Sequence, residues 1–200
     1  MIKIFSALLL TLMMTTTVGF MPTDEAPNAP MPLYLSITGT VSQMDEYLNA
    51  DGVPMEGWRF IQITDNNGDP ATILTTDETH YTSVHDIRPG DQITGFYSAM
   101  APMPLIYPPQ YNVKVLVAGL SKSQSVKVDQ FNVQTDGLEG YFVSKDGMLA
   151  FKVGESTEIR SLDGELFDGN FDGLHLAVIY DVSTRSIPAQ TVPVVVIVIY

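Results

Sequence analysis

The chain has 200 residues, 45% of them hydrophobic, and it contains no cysteine. Twenty-three acidic residues against ten Lys and Arg give a formal net charge of −13, which repels nucleic-acid phosphates and anionic lipid surfaces. The missing cysteine excludes thiol chemistry, Cys-bound zinc and disulfides. We therefore expect no nucleic-acid partner and a fold held together by burial and backbone pairing.

The first segment has the layout of a secretory signal peptide. Lys3 precedes an apolar run from Ile4 to Met14, which passes into small and polar residues. A membrane-spanning helix needs roughly 20 apolar residues, and this run is shorter. We predict a cleaved signal peptide over residues 1–20, no stable membrane span, and a secreted or cell-surface protein. The alternative is an uncleaved anchor.

Residues 21–32 are rich in proline and predict a flexible or polyproline-like arm, because proline lacks the backbone donor that a regular element needs. From Leu33 onwards, short apolar stretches of β-branched and aromatic residues alternate with turn residues, which is typical of strands. No window predicts a convincing helix. The fold class predicted from this pattern is all-β.

Five strands are predicted within residues 33–120. They run from Tyr34 to Val41, Trp58 to Thr64, Ala71 to Thr75, Gln92 to Tyr97 and Tyr111 to Val117. Between the second and third strands, the stretch from Asp65 to Asp69 has the composition of a hairpin turn. The alternative, a calcium loop, lacks the glutamate that such a loop carries at its twelfth position.

The same order of strands recurs within residues 121–200. The strands are predicted from Val126 to Thr135, Gly140 to Val143, Met148 to Val153, Leu174 to Tyr180 and Val192 to Tyr200. Tyr97 and Tyr180 each end a fourth strand, and each loop that follows closes on a Pro-x-Gln triplet. We predict two tandem five-stranded barrels of the oligonucleotide/oligosaccharide-binding (OB) kind, with residues 33–120 and 121–200 as the two β modules. The alternative is one two-sheet β-sandwich.

Two motifs carry a family resemblance. One runs from Gly95 to Tyr111 and includes Met103-Pro104-Leu105-Ile106-Tyr107-Pro108-Pro109-Gln110, and the other runs from Tyr180 to Thr191. Both resemble the N-terminal tandem β modules of secreted clostridial-type proteins that often carry a copper amine oxidase N-terminal-like stalk domain. The resemblance implies an envelope or extracellular protein of a Firmicute-like bacterium. The stalk domain has no counterpart in this sequence, and no catalytic or copper residues are implied.

The residues themselves predict no catalytic site and no cofactor. Ser183 and Ser186 lack the local setting of a nucleophile. His80 and His85 lie five apart, with acidic neighbours in a predicted loop, and they are weak candidates for a copper or zinc site. The alternative is two solvated side chains, because the spacing matches no metal-binding motif. His175 is predicted to be an outward or rim side chain.

The candidate binding residues lie in the proline-stiffened loop between the fourth and fifth strands of the first module. They are Leu105, Ile106, Tyr107, Pro108 and Pro109. Small barrels use this loop to bind oligomers. The alternative is that Leu105, Ile106 and Tyr107 fold back to plug the barrel end or the module interface.

The closing strand from Val192 to Tyr200 is almost wholly apolar, which predicts burial on both faces, between the modules or against another subunit. Two functional hypotheses remain. The first is a non-catalytic structural or interaction protein of the cell surface, binding protein partners or itself, by strand addition through the N-terminal arm or the closing strand. The second is an extracellular glycan- or peptide-binding module.

Overall fold

The computed structural model describes residues 31–82 and 86–200. The predicted signal peptide, nearly all of the predicted arm and His85 lie outside the described residues. The described residues form strands, turns and loops without a helix, so the chain is all-β as predicted. Within these two ranges, no helix is long and apolar enough to cross a membrane.

Seven strands form in each half of the described chain. The first seven are β1 (Tyr34–Leu48), β2 (Pro54–Asp65), β3 (Pro70–Thr75), β4 (His80–Tyr81), β5 (Gln92–Ser98), β6 (Gln110–Asn112) and β7 (Val115–Ala118). The next seven are β8 (Ser125–Val133), β9 (Phe142–Ser144), β10 (Leu149–Phe151), β11 (Glu158–Ser161), β12 (His175–Tyr180), β13 (Ala189–Thr191) and β14 (Val195–Val198).

The two halves repeat one topology. The N-terminal sheet has the order β4-β7-β5-β1-β2-β3-β6, and the C-terminal sheet has the order β11-β14-β12-β8-β9-β10-β13. Adding seven to each strand number of the first order gives the second. In both sheets the parallel pairs lie at the two ends, β4 with β7 and β3 with β6 in the first sheet, and β11 with β14 and β10 with β13 in the second.

The predicted five-stranded OB-like barrels are wrong in strand number and in pairing. The predicted fifth strand from Tyr111 to Val117 is two strands, because β6 pairs with β3 while β7 pairs with β5 and β4. Only Val113 and Lys114 separate them, and three residue steps span at most about 10 Å. The sheet must therefore curl until its two ends meet around Val113, which is fully buried. The sandwich alternative expected two sheets but not seven strands in each.

Alternating residues of the central strands face two different apolar cores. In β7, Leu116 packs in the core of the N-terminal sheet, whereas Val115 and Val117 pack in a cluster shared by both sheets. This intersheet cluster is built from side chains of both halves: Tyr34, Phe96, Val115, Val117, Val128, Ala177, Ile179, Ile197 and Ile199. The C-terminal sheet has a core of its own around Phe131, Phe151 and Leu176. The halves are therefore joined by buried apolar surface.

The predicted burial of the closing apolar run is confirmed for β14 and Ile199, whereas Val192, Val194 and Tyr200 of the same run are exposed. Val196 and Val198 pack in the core of the C-terminal sheet, and Ile197 and Ile199 pack in the intersheet cluster. In the sheet order β14 lies between β11 and β12. The hypothesis of strand addition through this strand is therefore wrong, because its backbone groups are paired on both sides.

Gly95 in β5 lies close to Val113, which connects β6 and β7, and this contact allows a test of stability. A Cβ atom at Gly95 would lie 2.6 Å from Val113 Cγ1 and 3.2 Å from Ile73 Cδ1. We expect Gly95→Ala to lower the free energy of unfolding by about 1–3 kcal/mol through overpacking, measured by urea unfolding. Adding Val113→Ala makes room for the new methyl group. The double variant should therefore lose less than the sum of the two single losses, and strict additivity would contradict this packing.

Candidate functional site

A row of polar side chains crosses four neighbouring strands of the N-terminal sheet. The strand register places Gln43 of β1 beside Gln62 of β2, Gln62 beside Thr72 of β3, and Thr72 beside Gln110 of β6. Residues paired across adjacent strands project from the same face of a sheet. We call these four side chains the polar row.

A second row runs parallel to the polar row on the same face. It contains Asp45, Phe60, Leu74 and Asn112, each two residues away in the sequence from the polar-row residue of the same strand. The intervening residues of β2 and β3, such as Ile61 and Ile73, are fully buried in the core of the sheet. Because side chains alternate between faces along a strand, both rows point away from that core.

The carboxylate of Asp45 is held by amides on either side. Gln43 Nε2 donates to both carboxylate oxygens of Asp45 at 2.9 Å, and Gln62 Nε2 lies 3.4 Å from Oδ2. Amide and carboxylate groups therefore lie side by side on the open face, with donors and acceptors directed along the surface.

The loop between β5 and β6 forms one wall of this face. Ile106, Tyr107 and Pro108 line a groove of about 300 Å³ together with side chains of the two rows. The full lining is Asp45, Phe60, Gln62, Thr72, Ile106, Tyr107, Pro108 and Gln110. We call this the aromatic groove. Its base is fixed to the sheet, because the Thr72 amide donates to the Pro109 carbonyl at 2.9 Å.

The predicted binding loop is open to solvent rather than folded inwards. Leu105 is fully exposed, Ile106 is 53% exposed and Tyr107 is 80% exposed. The alternative in which these side chains plug the barrel or the interface is therefore wrong. Of the five predicted binding residues, Ile106, Tyr107 and Pro108 line the aromatic groove, whereas Leu105 and Pro109 are not part of its lining.

The corresponding position of the C-terminal sheet has different chemistry. There Val143 of β9 pairs with Ala150 of β10, and Ala150 pairs with Gln190 of β13. The loop residue that corresponds to Tyr107 is Ile187, which also precedes a cis-proline and is also 80% exposed. The backbone is thus repeated, and Asn132 and Gln190 keep the two ends of the corresponding row polar, but the two central polar side chains and the aromatic ring are not repeated.

Sequence reasoning missed the polar row because it treated each strand by itself. The sequence does contain a pattern that indicates outward-facing polar side chains. Gln62 lies between Ile61 and Ile63, and Thr72 lies between Ala71 and Ile73. This alternation shows that each side chain points outwards. Only the register between strands shows that they lie in one line.

A second group of polar and aromatic side chains lies where the two sheets meet. Tyr34, His80, His175 and Tyr200 line a pocket of about 580 Å³, and Lys114 and Glu78 form an ion pair in its wall. The Tyr34 hydroxyl is hydrogen-bonded to His175 Nδ1 at 2.8 Å and to the Tyr200 hydroxyl. The Tyr200 ring stacks on His175, with ring centroids 4.5 Å apart, and contacts His80 with its centroid at 5.6 Å.

Burial shifts the pKa values of His80, His175 and Tyr34 away from their ordinary values. Desolvation, followed by the charge of Lys114, lowers the pKa of His80, and desolvation, followed by Lys145, lowers the pKa of His175. Burial and the hydrogen bond with Tyr200 raise the pKa of Tyr34. Neutral imidazoles are therefore favoured on both sides of the Tyr200 ring.

The weak metal hypothesis for His80 and His85 receives no support from the position of His80. His80 is half-buried on β4 against Tyr200, not in a surface loop as predicted, and His85 lies outside the described residues. Within residues 31–82 and 86–200, no group of three or more His, Asp or Glu side chains is placed to hold a metal ion.

A buried charge cluster lies in the C-terminal half. Lys127 forms ion pairs with Asp146 and with Asp129, whose side chain is fully buried. Burial raises the pKa of Asp129. Burial also acts to raise the pKa of Asp146, but hydrogen bonds from Lys127, Ser144 and the Met148 amide lower it overall. The charge of Lys127 is thus compensated by the carboxylates of Asp129 and Asp146 within the fold.

The loop from Asp65 to Asp69 is a hairpin turn, as predicted. Asp65 Oδ1 accepts hydrogen bonds from the backbone amides of Asn67 and Asp69 at 2.8 and 2.9 Å. These bonds, the one from Asp69 first, lower the pKa of Asp65. The carboxylate thus stabilises the bend itself.

Comparison of the chain with protein-family models, curated proteins and solved structures found no match. Support for a function comes from the geometry of the described residues.

The two half-buried histidines predict a loss of stability on acidification. Their folded-state pKa values lie below the ordinary 6.5, so the unfolded chain binds protons first as the pH falls. The free energy of unfolding should therefore decrease from pH 7 through 6.5 and on towards the folded-state pKa. We expect His175→Gln, which keeps a hydrogen-bonding group for Tyr34, to reduce this pH dependence in urea unfolding. An unchanged slope in the variant would contradict the assignment to His175.

Proposed function

We propose that this protein is a non-catalytic binding protein of the cell surface, secreted by a Firmicute-like bacterium, that takes its ligand in the aromatic groove. The observation that carries the proposal is the exposure of Tyr107 beside Phe60, Ile106 and Pro108 on one open face. Soluble proteins bury most of their large apolar side chains, so a group of exposed ones beside polar side chains is typical of a binding surface.

Several features of the sequence support an extracellular setting. The apolar run from Ile4 to Met14 has the layout of a secretory signal peptide. The resemblance to the tandem β modules of secreted clostridial-type proteins points to the same setting. A net charge of −13 favours solubility outside the cell.

Self-association is a second function, favoured by the complete exposure of Leu105 next to Ile106 and Tyr107. The edges of the two sheets contribute less to such contacts. The terminal strands β4, β6, β11 and β13 are only two to four residues long, so each offers few backbone groups for strand addition. Contacts between copies would therefore be made by side chains of the loop.

Binding to cells of the producing bacterium tests the proposed function. We expect Tyr107→Ala to lower the affinity of the purified protein for these cells about tenfold or more in cosedimentation, because exposed aromatic residues dominate binding energies. Ile187→Ala is the matched control, since Ile187 is equally exposed before the corresponding cis-proline. Equal binding by wild type and Tyr107→Ala would exclude the aromatic groove as the binding site.

Sedimentation velocity at increasing protein concentration tests self-association. We expect Leu105→Ser to reduce any concentration-dependent rise of the sedimentation coefficient, because it removes apolar surface from the contact. Val182→Ser is the control, since Val182 is an exposed apolar residue of the corresponding loop in the C-terminal half. A wild-type protein that remains monomeric would remove this second function and leave ligand binding.

A further inference from the structure

We infer that the aromatic groove binds an uncharged polysaccharide, with the chain lying along the polar row. This inference rests on the proposed function, since it names the ligand of the same site. It follows from four properties of the groove: its hydrogen-bonding groups, its rings, its charge and its position on the sheet.

The hydrogen-bonding groups of the polar row match the hydroxyl groups of sugars. A glutamine amide offers both donors and acceptors, and a threonine hydroxyl offers one donor with acceptor lone pairs. Neighbouring strands lie about 4.8 Å apart, so the row from Gln43 to Gln110 extends over about 14 Å. Sugar hydroxyls also both donate and accept, and a chain of sugar rings presents them at regular intervals. The row can therefore contact several hydroxyls of one chain.

The rings of the groove suit the apolar faces of sugars. Tyr107 is 80% exposed and Phe60 is partly exposed, and both line the groove beside Gln62. A pyranose ring has C–H groups on its faces and hydroxyls around its rim. It can therefore rest on an aromatic ring while its rim reaches the amides.

The charge of the groove excludes anionic chains. None of its eight lining residues is Lys or Arg, and Asp45 is the one charged side chain among them. Gln43 and Gln62 direct amide groups at that carboxylate. A polysaccharide carrying carboxylates or phosphates would meet repulsion from Asp45 and from the acidic protein as a whole.

The position of the groove favours a glycan over an extended peptide. Peptides that bind to sheets commonly add a strand to an edge and pair with free backbone groups. The groove lies on the face of β1, β2 and β3, where backbone groups are already paired with neighbouring strands. Recognition must then come from side chains, and those of the polar row are amides and a hydroxyl.

Affinity electrophoresis in native gels gives the first test. The protein carries a net charge of −13 and migrates to the anode, so a neutral polysaccharide in the gel retards it only by binding. The gels contain uncharged glucan, mannan or xylan, with polygalacturonate as the anionic comparison. We expect retardation by at least one neutral chain and none by polygalacturonate. Stronger retardation by the anionic chain, or none by any neutral chain, would overturn the inference.

Variants assign that retardation to the groove. We expect Gln62→Leu and Tyr107→Ala each to lower the affinity for the retarding chain about tenfold, through a lost hydrogen bond network and a lost ring. Tyr107→Phe keeps the ring and should bind within about twofold of wild type. Gln190→Leu is the control in the C-terminal sheet, where Gln190 of β13 corresponds to Gln110 of the polar row. If Gln190→Leu lost binding and Gln62→Leu bound as well as wild type, the aromatic groove would be excluded as the binding site.

Treatment of the producing cells separates failure of the inference from failure of the proposed function. We expect the Tyr107-dependent binding to cells to be lost after periodate oxidation, which cleaves vicinal diols of sugars, and to survive digestion of the cells with proteinase K. Binding that survives periodate but not protease would keep the proposed function and replace the glycan by a protein. Absence of any Tyr107-dependent binding would remove both.

Discussion

Burial of the central strands on both faces is the constraint on which the rest of the structure depends. In β7, β12 and β14, successive side chains alternate between the core of their own sheet and the intersheet cluster. Fully burying a valine or isoleucine side chain stabilises a fold by roughly 1.5–3 kcal/mol, so several such residues on each face can hold together a chain that has no disulfide. Neither sheet can keep this pattern without the other, because the second face of each strand would be left in water.

The intersheet packing also determines where functional side chains can lie. It places His175 and Tyr200 of the C-terminal half against Tyr34 and His80 of the N-terminal half, in contacts that exist only when the sheets are joined. It covers one part of the N-terminal sheet and leaves the outward face of β1, β2, β3 and β6 open. The aromatic groove occupies this uncovered face.

The two halves show how one topology can carry different surfaces. Both halves repeat the strand order and the parallel pairs at the ends of the sheet. In both, the first residue of the Pro-x-Gln triplet is a cis-proline. Residues that pack in the cores are apolar in both halves, since burial limits what can replace them. The facing positions differ between the halves, because Gln62, Thr72 and Tyr107 in one half correspond to Val143, the fully buried Ala150 and Ile187 in the other. The shared fold thus supports two different surfaces, and this difference is one reason why we propose a binding role for the N-terminal half.

The sequence by itself determined the all-β class, the hairpin turn at Asp65, the twofold recurrence of strands and the burial of β14 within the closing apolar run, because each depends on local composition or on two-residue alternation. The tertiary structure decided the number of strands, since the break at Val113 and Lys114 divides one predicted strand between β6 at one end of the sheet and β7 beside the strand at the other end. It also decided that Leu105 and Tyr107 face solvent, and that Gln43, Gln62, Thr72 and Gln110 form one row. These features depend on register and packing between residues far apart in the chain, and local pattern carries no information about either.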